Sequence, residues 1–180
     1  MTTPVTPAFQ LVDHDDSPVS ERTYQGSWVV VFFGFTHCKA VCPRALGRLS
    51  DVLDSLGEAA DQVCALYITV DPERDTPQVM KEFLRAYPRF TGLTGPDDAV
   101  EDAKKAFRVF ARRKADPADP DGYAVPHTAI TYLIAPDGRY ADHFADALPA
   151  ADVATRLRTH LSRGPGLSGG QLSLKRTLTL

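Results

Sequence analysis

Apolar residues run unbroken from Trp28 to Phe33 and resume at Phe35 after Gly34. This β-branched and aromatic run, with no polar alternation, reads as a strand covered on both faces at the centre of a sheet. Beyond it, Leu46, Leu49, Val52, Leu53 and Leu56 recur at helical spacing between Pro43 and Gly57, and proline at the start with glycine past the end is how helices are commonly bounded. Val63 to Val70 is a second β-rich run, and Thr76-Pro77 opens a helix carrying Val79, Phe83, Leu84 and Tyr87 that Pro88 stops. Strand, helix, strand, helix predicts a parallel pair.

Gly95-Pro96-Asp97-Asp98 starts a third helix with acid in its first turn and Val100, Ala103, Phe107 and Phe110 on one face. Lys114 to Gly122, rich in Asp and Pro, predicts an exposed loop. Thr128–Ala135 and Arg139–Phe144 flank the turn Pro136-Asp137-Gly138 and predict a β-hairpin. Pro149 opens a last helix with Val153, Leu157 and Leu161. This order predicts an α/β, thioredoxin-like sandwich, a single domain whose central mixed β-sheet is flanked by helices. Trp28 and the phenylalanines are assigned to its core. The boundaries read as an N-terminal extension 1–7, the domain 8–163 and a flexible tail 164–180. In that tail Leu172, Leu174, Leu178 and Leu180 alternate, so a strand docking on a sheet edge is the second reading.

The chain's 180 residues suit one domain at about 150 residues each. Hydrophobic residues at 43% and charged residues at 24% exclude a disordered polyelectrolyte. Twenty Lys+Arg against 23 Asp+Glu leave a net charge of −3 with no basic block, which argues against nucleic acid as a partner. The longest apolar run falls well short of the roughly 18 residues of a membrane span, and the first residues lack a secretory pattern. A membrane is therefore expected to be reached only through an anchor absent from this chain. Three cysteines are too few for a disulfide scaffold and leave at least one unpaired.

Two of them lie in Phe33-Gly34-Phe35-Thr36-His37-Cys38-Lys39-Ala40-Val41-Cys42-Pro43, at the carboxyl end of the buried strand and the start of a helix. Open α/β sheets bind ligands there, and the helix field favours anions, so both Cys38 and Cys42 are expected to have thiolate character. On one helical turn their Cβ atoms lie about 5–6 Å apart, which suits one soft metal ion or a reversible disulfide. Cys64, in the Val63–Tyr67 strand, is read as a buried small hydrophobe. His14, His143 and His160 are read as surface residues.

Over roughly residues 8–162 the chain resembles the Sco/SenC family of thioredoxin-fold copper chaperones and thiol–disulfide proteins, which help assemble the binuclear copper site of cytochrome c oxidase. The resemblance rests on the cysteine loop with the Trp28–Thr36 stretch before it, on Ile68-Thr69-Val70-Asp71-Pro72-Glu73-Arg74-Asp75-Thr76-Pro77, and on His127-Thr128 with Tyr132-Leu133-Ile134-Ala135-Pro136-Asp137-Gly138-Arg139. It implies that Cys38, Cys42 and His127 bind a copper ion, Cu(I) or Cu(II). Read without the resemblance, His127 is a strand-end histidine. Asp71 is a candidate to tune the thiols or steer docking; His37, a rival ligand, is assigned a tuning role. The chain departs from the family at Lys39-Ala40, where Pro-Asp is usual, and at Pro126, where Asp is usual. Lys39 makes the loop more positive and is expected to lower thiol pKa, while Pro126 stiffens the approach to His127.

Two thiolates and an imidazole suit copper better than a hard cation, and no further Cys or His pair completes a four-ligand zinc site. The resemblance implies a metallochaperone whose partner is the copper-bearing subunit of cytochrome c oxidase or another copper or thiol protein. It places that activity on the extracytoplasmic side of the cytoplasmic membrane, with a cytoplasmic form as the alternative. An enzymatic alternative is a thiol–disulfide oxidoreductase in which Cys38 attacks and Cys42 resolves. A thiol peroxidase ranks lower, because the Pro-x-x-x-Thr-x-x-Cys segment of peroxiredoxins is not matched around Cys38.

Overall fold

A computed structural model describes residues 5–163; the readings of residues 1–4 and of the tail 164–180 fall outside the described residues. In chain order the elements are β1 (Gln10–Asp13), β2 (Pro18–Ser20), β3 (Trp28–Gly34), α1 (Val41–Ser55), β4 (Val63–Thr69), α2 (Pro77–Phe83), β5 (Phe90–Thr94), α3 (Asp97–Phe107), β6 (Lys114–Ala115), β7 (Tyr123–Ala124), β8 (Ile130–Ile134), β9 (Tyr140–Ala145) and α4 (Ala150–Arg163).

Every residue of β3 is buried. It runs parallel to β4, with Gly34 opposite Thr69, and antiparallel to β8, with Phe32 opposite Thr131. The seven-stranded sheet has the order β2-β1-β5-β4-β3-β8-β9, and β6 and β7 pair separately. This is the mixed α/β sandwich that the alternation of strand and helix predicts. Trp28, Val30 and Phe32 pack with α1, α4 and Met80 of α2; Val29, Val31 and Phe33 pack with Leu11 of β1 and with Val100 and Phe107 of α3. Both faces of β3 are thus covered by helix, the reason its sequence has no polar position. Gly138 takes the positive φ (83°) expected of the hairpin turn.

Five strands have no counterpart in the sequence reading: β1, β2, β5 and the two-residue β6 and β7. β1 and β2 are short, β2 at the sheet edge and β1 between β2 and β5, and β5 carries Gly92 at its middle. A Cβ there would lie 2.9 Å from Leu84 Cδ1 and 3.1 Å from Met80 Cβ, so glycine answers helix packing and not a turn. The second helix is shorter than predicted, ending at Phe83 with a 3₁₀ turn over Leu84–Ala86. The third ends at Phe107 because Arg108 is left-handed (φ 58°). That turn throws Phe110 off the apolar face to 70% exposure, against its assignment to the core. Phe83 is half-buried. The predicted exposed loop is bracketed by β6 and β7 and buries Asp119.

Phe107 sits 5.3 Å from Phe33 and 5.4 Å from Tyr132 between ring centroids. Phe107→Ala is expected to cost about 3–5 kcal/mol in denaturant unfolding, whereas Phe110→Ser should stay within about 0.5 kcal/mol. Equal costs would contradict the end assigned to α3.

Candidate functional site

Leaving β3, the chain turns through Phe35 and Thr36 to Cys38, whose N–H donates to Phe35 O at 3.2 Å. The buried carboxylate of Asp75 fixes the turn. It accepts from Thr36 N–H at 3.1 Å, Thr36 Oγ1 at 2.5 Å and Thr69 Oγ1 at 2.7 Å, joining the thiol loop to the end of β4. Burial raises the Asp75 pKa, and these hydrogen bonds oppose the rise. No periodicity marks Asp75 as different from the other acids of its segment, so sequence reasoning passed over it.

α1 begins at Val41, ahead of the predicted Pro43, which falls in the first turn and needs no intrahelical donor. Cys42 is consequently buried, while Cys38 remains half-buried. Cys42 N–H donates to Cys38 Sγ at 3.4 Å. The hydrogen bond from the Cys42 thiol, with the backbone N–H groups of Cys42, Ala40 and Val41, lowers the Cys38 pKa to about 5 against the pull of burial. The same bond and burial push Cys42 far up. Only one of the two thiols is therefore acidic, contrary to the expectation for both, because one proton serves the pair and the more exposed sulfur carries the charge. The second thiol and the backbone amides hold the charge, in place of the expected charge of Lys39, whose Nζ donates to Ala118 O.

His127 precedes β8 and is held by a bridge to Ala111, with Arg112 N–H donating to Pro126 O at 3.2 Å and Thr128 N–H to Phe110 O at 2.8 Å. Its Nδ1 lies 3.0 Å from Val125 O. A carbonyl can only accept, so Nδ1 carries the proton and Nε2 turns its lone pair toward Cys42 Sγ, 3.8 Å away. Phe32 and Phe35 meet the imidazole edge-on. A cavity of about 420 Å³ lined by Phe35, Cys38, Val41, Val125, Pro126 and His127 opens this place to solvent. Among the described residues no three His, Cys, Asp or Glu side chains stand ready as a metal-binding group.

Of the remaining candidates, His37 and Lys39 line the same cavity, while Asp71 lies outside it. Asp71, fully buried, pairs with Arg74 Nε at 2.5 Å and Arg113 Nη2 at 3.4 Å and accepts from Tyr123 Oη at 3.1 Å. Arg74 also reaches Asp119 at 3.0 Å and lies 3.9 Å above the Tyr123 ring. This network ties the Asp71 segment to the chain leading into Val125 and His127. His37 Nε2 approaches Asp121 at 3.7 Å, and Lys39 Nζ donates to Ala118 O at 3.0 Å; both strap the thiol loop to residues 118–121. Cys64 is half-buried and not fully buried. His14 accepts from Gly92 N–H at 3.0 Å, and His160 meets Asp142 at 3.0 Å beside Trp28; of the three histidines read as surface residues, His143 is exposed.

The SCO1/SenC family model matches residues 1–162. The chain belongs to that family. Among solved Sco structures, Bradyrhizobium japonicum ScoI with copper bound is 36% identical with a TM-score of 0.78, covering 86% of this chain and 98% of that one. Yeast Sco1 with copper bound is 29% identical with a TM-score of 0.80, covering 89% and 90%. The human mitochondrial SCO1 homolog is 34% identical over 156 residues, 85% of this chain and 52% of the human protein. The chain thus spans about half the length of the vertebrate Sco relatives it matches.

Alkylation of Cys38, followed on its own peptide, is expected to reach half its maximal rate near pH 5, against about 8.5 for an ordinary thiol. Cys42→Ala removes the thiol donor and should move that midpoint upward. A parent midpoint at the ordinary value would contradict the assignment of charge.

Proposed function

We propose that Cys38, Cys42 and His127 hold one copper ion, which this Sco protein delivers as cargo to the binuclear copper site of cytochrome c oxidase. The observation that carries this reading is the imidazole: Val125 O fixes the proton on Nδ1 and leaves Nε2 free, 3.8 Å from the Cys42 sulfur. Two soft sulfurs and a borderline nitrogen are a donor set for Cu(I) or a trigonal Cu(II). The copper bound in the Bradyrhizobium and yeast relatives supports the same choice. Cys38, beside an open cavity, is the sulfur a partner thiol can displace first, so release runs by ligand exchange. Asp71 and Arg74 serve the site by holding the chain that carries His127, while His37 and Lys39 hold the thiol loop.

Among the described residues no helix is long and apolar enough to cross a membrane. Family membership supports work on the extracytoplasmic side of the cytoplasmic membrane.

A second reading is favoured by the split between the thiols. An acidic, half-buried Cys38 beside a protonated, buried Cys42 suits a thiol–disulfide reductase. Cys38 thiolate would attack a partner disulfide and release one partner thiolate. Cys42, losing its proton, would then resolve the mixed disulfide, leaving the partner reduced by two electrons and Cys38–Cys42 oxidised.

The two readings separate on His127. Titrating the reduced protein with Cu(I) against a competing chelator should give one equivalent bound, and His127→Ala should lose that stoichiometric binding while reducing a model disulfide at nearly the parental rate. Unchanged copper affinity in the variant would remove His127 from the site. Absence of binding by the parent would leave the reductase.

A further inference from the structure

Tyr67 lies in β4 beneath the thiol loop, its ring stacked on Phe32 at 6.3 Å and on Phe83 at 5.8 Å between centroids. It is completely buried, and its hydroxyl has no hydrogen-bond partner of normal geometry among the described residues. A buried hydroxyl left unpaired is destabilising, and phenylalanine would fill the same ring space without that cost. The hydroxyl and the Cys42 sulfur border the same space beside Gly34. A Cβ on Gly34 would lie 2.5 Å from Tyr67 Oη and 2.7 Å from Cys42 Sγ. Gly34 has no positive φ, so glycine is required there because these two atoms converge on the space a side chain would take.

We infer that Tyr67 is a positioning residue for the copper site, its hydroxyl poised to donate a hydrogen bond to Cys42 Sγ when that sulfur ligates as a thiolate. The inference rests on the copper reading above. On metal binding the Cys42 S–H proton passes to solvent, and the sulfur becomes an acceptor with negative charge; the tyrosine proton stays on Oη. A hydrogen bond to a ligating thiolate orients it and withdraws electron density, which favours Cu(I) over Cu(II). It also explains why a hydroxyl is kept where the metal-free protein gives it no partner.

The opposite signs expected of one substitution test this. Tyr67→Phe should bind Cu(I) about 10-fold more weakly, the lower end for partners of metal ligands. The Tm of its metal-free, reduced form should equal or exceed that of the parent. In the Cu(II) form the thiolate-to-copper charge-transfer band should move to lower energy. Tyr132→Phe, on the opposite face of the sheet against Phe33 and Phe107, should leave copper affinity unchanged. Parental affinity with an unmoved band in Tyr67→Phe would overturn the inference. So would a weakened site accompanied by a lowered metal-free Tm, which is what a purely structural tyrosine would give, or equal weakening by Tyr132→Phe. Failure of the parent itself to bind copper would overturn the proposed function and this inference with it.

Discussion

A strand apolar on both faces is stable in the middle of a sheet covered on both sides, and the position of β3 decides where the chemistry falls. Its parallel register with β4 sets Gly34 against Thr69, so the thiol loop and the Asp71–Asp75 segment leave the sheet at the same edge. β8 runs the other way, with its beginning beside the end of β3, and His127 just ahead of it comes to that edge as well. Three remote stretches of sequence meet because strand direction permits no other arrangement. The carboxyl edge of the parallel strands is also where open α/β sheets place ligands.

What the edge does with these residues is a matter of where protons are held. Asp75 takes three donors and stiffens the turn into the loop. Val125 O takes the imidazole proton and frees the other nitrogen. The thiol pair places its charge on Cys38, the sulfur that backbone amides and the cavity can reach. Around this centre lie the ion pairs Asp71–Arg74–Asp119 within and the polar contact of His37 with Asp121 without. The inner pairs are buried and costly to break, whereas exposed pairs of this kind contribute little.

The central strand, the parallel pair, the hairpin and the four helices were legible because each rests on a local signal: an unbroken apolar run, helical spacing, a proline or glycine at an end. β1, β2, β5, β6 and β7 were not, since strands of two to four residues and a glycine that serves packing leave no period to read. Phe110 was misplaced because a left-handed Arg108 is invisible to a helical wheel. At the site, the pattern of cysteines was plain and the family resemblance pointed to His127. The inequality of the thiols was hidden, because it depends on α1 starting early enough to bury Cys42. Asp75, Arg74 and Tyr67 were missed for a similar reason: their importance lies in burial and partners across the fold.

The central claim is that two sulfurs and one imidazole converge on a single ion at the edge beyond β3. X-ray absorption at the copper edge of the reduced protein loaded with one equivalent of Cu(I) tests it most directly. The account predicts two sulfur neighbours and one imidazole nitrogen about each copper, with the imidazole lost in His127→Ala. A sphere with a single sulfur, or with no imidazole in the parent protein, would contradict it.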